Sequence, residues 1–223
     1  GGIKMSKSKG NVINPDDYLE KYGADTVRIY EMFMGPFDQS IAWDDKGVKG
    51  VHKFLNKAWS LQYKVGKSDV DQGTLHKSIK KVSEDIDNMR FNTAISQLMI
   101  LSNELDKQSS IPKDIFEKFV LILSPFAPHL AEELWNSLGH KDSLAHEKWP
   151  KYDGGLAKDD SIVIGIQING KVRDEIELPT DTEPSKEIEK QILSQDKVKK
   201  HIGDKKIVKF IHIKNKIISI VVK

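Results

Sequence analysis

Residues 149–178 read WPKYDGGLAKDDSIVIGIQINGKVRDEIEL, and a change of rhythm inside this stretch decides the fold. Upstream of it, apolar residues recur every three or four positions. Downstream they alternate every second position, from Ile162 to Ile168 and again from Lys171 to Leu178. The first spacing is that of helices burying one stripe, the second that of strands burying one face. Between the two strand-like runs stands Asn169-Gly170, a pair that readily supplies the positive φ angles of a tight turn, so a β-hairpin is expected. The polar, glycine-bearing stretch 151–160 is expected to be a linker between two domains.

Working back from that boundary, apolar stripes appear at Val48, Val51, Leu55, Ala58 and Trp59, then at Leu75, Ile79, Val82 and Ile86. Others follow at Phe91, Ile95, Leu98, Leu101 and Leu105, at Ile115, Phe119 and Ile122, and at Leu130, Leu134, Trp135 and Leu138. Together they predict a helical bundle over 44–150, started by Asp44-Asp45. Ahead of it, Asn14-Pro15-Asp16-Asp17 reads as a helix start, with Asn as cap, Pro in the first turn and acids at the positive end of the dipole. That helix is expected to run to Tyr22 and stop at Gly23; a second spans Ala24 to Met34 and ends at Gly35-Pro36. Working forward from the boundary, Pro184 to Leu193 reads as a helix. Ile207 to Ile213 and Ile217 to Val222 form a second hairpin around Lys214-Asn215-Lys216. The expected fold class is α+β: a mobile loop and short helices (1–43), mainly a helical bundle (44–150), and a small α/β domain (161–223) with two hairpins and one helix.

With 223 residues, 38% hydrophobic and 30% charged, the chain has the composition of an ordinary soluble protein with a heavily charged surface. Cys is absent, which removes disulfides, thiolate zinc sites and cysteine nucleophiles together. The net charge of +2 hides an uneven distribution, because Lys197 to Lys223 holds nine Lys against only Asp204. Such a tail can meet phosphates. No apolar run approaches the roughly 20 residues that cross a bilayer, and the first fourteen residues lack a signal-peptide core, so a cytoplasmic location without membrane contact is expected. None of the seven His sits in a close metal-ligand pattern, and no metal ligand is expected on this chain. His129 reads as a packing or capping residue, Trp59, Trp135, Phe91 and Phe119 as core, and Asp85 to Asp87 as solvated helix surface. Trp43, in a turn beside two acids, is open between hinge packing and a substrate-side contact.

The residues that carry chemistry are Lys4-Met5-Ser6-Lys7-Ser8. A given string of five such types arises at any one position roughly once in a few million. Two lysines three apart on a glycine-flanked loop suit a mobile polyphosphate clamp, each ammonium being a point charge on a flexible stem. Closing as charge moves onto leaving pyrophosphate, such a loop lowers the barrier electrostatically. Ser6, Ser8 and the loop backbone add donors.

This string resembles the KMSKS signature of class I aminoacyl-tRNA synthetases, and the likeness continues through Lys9-Gly10-Asn11-Val12 and Tyr22-Gly23-Ala24-Asp25-Thr26-Val27-Arg28. Glu31 to Pro36 and Phe54 to Trp59 look like the leucyl branch. Arg90 to Ile95 and Pro125 to Trp135 resemble the bundle these enzymes use to hold tRNA, and Gln167 to Arg173 looks like the start of the small C-terminal domain of bacterial leucyl enzymes. By that resemblance the chain is the C-terminal part of such an enzyme, free of membrane contact and monomeric, with ATP and its Mg2+ as substrate in the complete protein and tRNA(Leu) as partner. Lys4 and Lys7 would stabilise the ATP phosphates during formation of leucyl-adenylate, with Met5, Ser6 and Ser8 completing the ATP-binding loop. Lys171, Arg173, Lys209, Lys214 and Lys216 are the expected tRNA-phosphate contacts. The HIGH motif, the nucleotide-binding fold around it and the editing insertion have no counterpart in these residues, so activity requires N-terminal catalytic and editing domains. Two alternatives stay open: the same region of a valyl, isoleucyl or methionyl enzyme, and a stand-alone or split-subunit tRNA-binding accessory protein.

Overall fold

In the computed structural model, which describes residues 3–36, 38–158 and 161–223, helix α1 (Pro15–Tyr22) starts where its residues dictate. The Asn14 side chain accepts the Asp16 N–H at 3.2 Å, Pro15 occupies the first turn, and Asp16 and Asp17 sit at the positive end of the dipole. Gly23, at φ 82°, ends α1 and lets the chain turn directly into α2 (Ala24–Phe33). Asp44 caps α3 (Asp45–Ser60) through its bond to Lys46 N–H, and α4 (Gly73–Asp87), α5 (Phe91–Lys107), α6 (Lys113–Leu123) and α7 (Pro128–Ser137) complete the first of two compact units, Gly1–Ala157. Its core joins Val48, Val51, Leu75, Ile79, Leu98, Phe116 and Phe119, with Ile29 and Tyr30 of α2 drawn into the same cluster. Each such buried apolar side chain contributes on the order of 1.5–3 kcal/mol. Trp59, Phe91 and Ile86, expected in the core, pack only partly buried against it.

Asp85 overturns its expected place on solvated helix surface. Its side chain is fully buried and accepts hydrogen bonds from Lys81 Nζ (2.6 Å), Thr93 Oγ1 (2.7 Å) and Arg90 Nε (2.9 Å). Met89 takes a left-handed conformation (φ 55°) that folds the start of α5 back on the end of α4, and Arg90 N–H donates to the Asp85 carbonyl at 2.7 Å. Burial opposes the charge of this carboxyl, but the bonds from Lys81 and Thr93 and the charges of Lys81 and Arg90 prevail and hold its pKa below the usual carboxylate value. Asp87, two residues on, is exposed as expected.

A second buried carboxylate ties α2 to α7. The N-cap position of α7, Ala127, has no side chain to offer. Asp25 serves instead: its Oδ2 accepts the Leu130 N–H at 2.7 Å and its Oδ1 lies 2.7 Å from His129 Nδ1. An Asp25→Ala variant is expected to lose about 1–3 kcal/mol, the cost of a missing cap in a poorly solvated place. Urea unfolding followed by circular dichroism checks this, and a change under about 0.5 kcal/mol would count against the cap.

The second unit, Lys158–Lys223, is built on a four-stranded mixed sheet. Strands β1 (Ser161–Ile168) and β2 (Lys171–Pro179) form the hairpin expected at Asn169-Gly170, whose φ angles are 47° and 80°. Strands β3 (Ile207–Ile213) and β4 (Ile217–Val222) form the other, turning at Asn215 with φ 56°. The order is β2-β1-β4-β3, so the hairpins join through a parallel pairing of β1 with β4. One face of the sheet, with Ile164, Ile166, Ile176, Ile218 and Ile220, packs on Ile192, Val198 and Ile202.

Those last residues come from two helices, where one was expected. Gln195 is extended (ψ 134°) and separates α8 (Lys186–Ser194) from α9 (Asp196–Ile202). The lysine-rich stretch after Asp196 reads as a polar tail, yet Val198 and Ile202, four apart, are enough to seat one helical turn on the sheet.

Candidate functional site

The Lys4–Ser8 loop has an ordered internal geometry. A short 3-10 turn, Lys7–Lys9, is closed by Lys9 N–H donating to the Ser6 carbonyl (3.1 Å) and Gly10 N–H to the Lys7 carbonyl (3.2 Å). Gly10 follows in the left-handed region at φ 62°. Asn11 spans the loop: its Oδ1 accepts the Ser6 N–H at 2.8 Å, while its Nδ2 donates to the Lys4 carbonyl at 3.4 Å. The Ser6 and Ser8 hydroxyls share a hydrogen bond of 3.3 Å. Lys4 and Lys7 both point into solvent. Two cations on a backbone tied at its waist are thus presented with their stems free to reach an anion.

Met5 alone of the five reaches a cleft of about 320 Å³ that is also lined by Glu31, Met34, Gly35, Gln39 and Trp43. A Cβ at Gly35 would meet Ile41 Cδ1 at 2.1 Å, so the tip of that side chain would have to turn away. Trp43 is wedged between Tyr18 and Tyr30, each edge-on at 4.8 Å, and its Nε1–H donates to Asp45 Oδ1 at 2.9 Å. Tyr18 donates its hydroxyl to the same carboxylate oxygen, and the two bonds hold Asp45 below its usual pKa. Tyr30 O–H receives the Asp44 N–H at 2.7 Å, and burial raises the Tyr30 pKa. Trp43 therefore packs the junction between α2 and α3, and it also lines the cleft beside Met5.

The five cations expected to contact phosphate lie in the second unit, and its topology divides them. Lys171 opens β2, Arg173 is the extra residue at a bulge opposite Ile166 and Gln167, and Lys209 stands near the start of β3. All three are exposed, without an ion pair among the described residues. Lys214 and Lys216 flank the β3–β4 turn at the other end. Lys214 Nζ donates to Glu183 Oε1 at 2.7 Å and lies 3.9 Å from Asp181 Oδ1. That bond to Glu183 and the two nearby carboxylates raise its pKa. Its charge is compensated within the unit. The sequence offered no sign of this, because Glu183 and Lys214 are 31 residues apart.

Known families match two stretches of the chain, the second of which runs across the boundary between the two units. Residues 1–44 match the family model of class I tRNA synthetases for I, L, M and V. Residues 73–190, from the first residue of α4 into α8, match the model of the anticodon-binding domain of tRNA ligases. Leucine–tRNA ligases of two strains of Leptospira biflexa serovar Patoc are each 48% identical to this chain over 98% of its length. The chain spans about a quarter of those relatives, 26% of each. The crystal structure of a ternary complex of Agrobacterium radiobacter K84 agnB2 LeuRS with tRNA and LeuAMS superposes with a TM-score of 0.78 at 28% identity. It covers all of this chain and 32% of that one. With more than half of its residues matched by one family model, the chain belongs to the anticodon-binding domain family of tRNA ligases.

Proposed function

We propose that the chain is the C-terminal portion of a leucine–tRNA ligase, supplying the ATP-phosphate loop and the tRNA-positioning units to a catalytic fold carried elsewhere in the complete enzyme. The observation that carries this reading is the 48% identity to leucine–tRNA ligases across 98% of the chain. ATP, bound with Mg2+, supplies the activated phosphoanhydride. Lys4 and Lys7 balance the negative charge that grows on the pyrophosphate as the leucine carboxylate attacks the α-phosphorus, and Met5, Ser6 and Ser8 complete the loop around the nucleotide. Adenylation needs no general base from this chain, since positioning and charge stabilisation carry it. The bundle over 44–150 and the small domain over 161–223 then hold tRNA(Leu) through phosphate contacts that position it without reading sequence. The enzyme works as a cytoplasmic monomer; no helix among the described residues is long and apolar enough to cross a membrane.

The test is amino-acid-dependent ATP–pyrophosphate exchange by the complete enzyme. Leucine is expected to support exchange at least about 100-fold better than valine, the discrimination reached when a pocket is built for the larger side chain. Exchange driven best by isoleucine, valine or methionine would move the chain to another branch of the class.

Asn11 acts in the same reading as a positioning residue. Asn11→Ala unties Ser6 N–H from Lys4 C=O, and the expected result is about a tenfold lower kcat with smaller change in the KM for leucine, as for a mispositioned electrostatic group. Steady-state kinetics at varied leucine and saturating ATP check it, and wild-type kinetics would remove Asn11 from the mechanism.

A further inference from the structure

The lysine-rich tail is not one basic surface: the sheet sorts it into two ends of opposite electrostatic character. Because β4 runs parallel to β1 and β3 antiparallel to β4, the end of β1, the start of β2, the end of β4 and the start of β3 all lie at one end of the sheet. Asn169 sews this end together. Its N–H donates to the Ile220 carbonyl (3.0 Å), its Nδ2 to the Val222 carbonyl (3.0 Å), and its Oδ1 accepts the Val222 N–H (2.9 Å). Lys206 and Lys223 exchange two backbone bonds, at 2.9 and 3.0 Å, so the lead into β3 is fixed beside the end of β4. Helix α9 finishes at Ile202, four residues short of that pair, which brings its last turn to the same end.

Besides Lys209 and Lys223, six exposed cations gather there. Lys171 and Arg173 come from β2, Lys199 and Lys200 from the last turn of α9, and Lys205 and Lys206 from the lead into β3. None of the six has an ion pair among the described residues. Asp204 is the one acid in the lead, and Asp174 on β2 is already paired with Lys197 at 3.2 Å. Both edge strands also carry a bulge at this end, with Arg173 the extra residue in β2 and Val208 the extra residue in β3. Bulges re-aim side chains and twist an edge away from further pairing. At the opposite end, Lys158 pairs with Asp181 at 3.2 Å and Lys214 with Glu183 at 2.7 Å, while Lys216 has no ion pair among the described residues.

A purely structural explanation covers part of the cluster, since Lys199 and Lys200 favour the negative end of the α9 dipole. That effect fades within the last turn and does not reach Lys171, Arg173, Lys205 or Lys206. Six like charges held together by a rigid sheet end repel one another, and a polyanion relieves the repulsion by releasing its own counterions.

We infer that the Asn169 end of the small unit, presenting Lys171, Arg173, Lys199, Lys200, Lys205 and Lys206, is its docking surface for the phosphate backbone of folded RNA, and that the Lys214–Lys216 turn is not. The inference rests on the reading of this chain as part of a tRNA ligase. It narrows that reading to one surface and adds the α9 and pre-β3 lysines to it.

The experiment measures the affinity of the full chain for a leucine-accepting tRNA transcript over about 50–200 mM salt, where each phosphate contact adds roughly 0.7–0.9 to the log–log slope. The variant carrying Lys199→Gln, Lys200→Gln, Lys205→Gln and Lys206→Gln is expected to lower the slope by about 3 and to weaken low-salt binding by at least about tenfold. The variant carrying Lys158→Gln, Lys214→Gln and Lys216→Gln is expected to stay within about twofold of the parent. Should the fourfold variant not fold, Lys205→Gln with Lys206→Gln, both outside any helix, is expected to lower the slope by about 1.5. Equal losses in the two sets, a larger loss from the Lys214 set, or an unchanged slope in the Lys199 set overturn the inference while steep binding by the parent keeps the ligase reading. A parent chain with no salt-dependent tRNA binding overturns both.

Discussion

Replacing Lys7 with Ala in the complete ligase is expected to lower leucine-dependent ATP–pyrophosphate exchange by on the order of 10²–10³-fold, the loss typical when one preorganised donor to developing charge is removed. Lys7 begins the turn that Ser6, Lys9 and Gly10 close by backbone hydrogen bonds, so its Cα is set while its ammonium stays in solvent, available to an anion. Lys4 sits in the irregular segment before the turn, where Asn11 Nδ2 donates to its carbonyl. Lys4→Ala is therefore expected to act in the same direction with a smaller loss. Affinity for tRNA in the Lys7 variant is expected to stay within about twofold, because a single exposed cation adds little to binding. A fluorescence titration run beside the exchange assay separates the outcomes: matched losses in the two would remove the phosphate-clamp role.

Asp85→Ala is expected to destabilise the helical unit by about 2–4 kcal/mol, lowering its melting temperature by roughly 5–15 °C. The buried carboxylate accepts from Lys81, Arg90 and Thr93 at once, and its loss leaves the Thr93 hydroxyl and the turn at Met89 without their common anchor. The two cations are half-exposed and recover water, which keeps the cost below that of a wholly buried pair. Asp85→Asn, able to accept but not to carry charge, is expected to fall between the variant and the parent. The pH dependence has a definite sign. The folded pKa of Asp85 lies below its ordinary value of 3.8, so its stabilisation is complete above that pH and disappears as the pH falls through the folded value. Urea midpoints at pH 7 and near pH 3 check this: the gap between parent and variant should narrow in acid, and a gap that widens would refute the assignment.

What could be read from the residues in order was mostly local. Asn14-Pro15, Asp44 and Asn169-Gly170 act on their own neighbours, and the structure puts each at the element boundary that its chemistry favours. The Lys4–Ser8 string was legible for the same reason, whereas Asn11 was not, because an Asn after a glycine announces a turn and not a bond back across five residues. Asp85 misled because polar residues are normally counted out of an apolar stripe. Yet it falls three positions after Val82, on the buried face, where its neighbours make a carboxylate tolerable. The Asp25 cap of α7 joins residues 105 apart, and the Glu183–Lys214 pair joins two turns that no periodicity links. The parallel pairing of β1 with β4 was equally hidden, since each hairpin is complete by itself in the one-dimensional pattern.

That pairing sets the order in which the small unit can come together. Gly165 meets Ile217 and Ile168 meets Ile220, so the seam between the two ribbons closes a loop of about fifty residues before it returns any contact energy. Each ribbon is marginal alone in water. The meeting of the two half-sheets is accordingly expected to limit refolding, and refolding to speed up when the intervening chain is shortened.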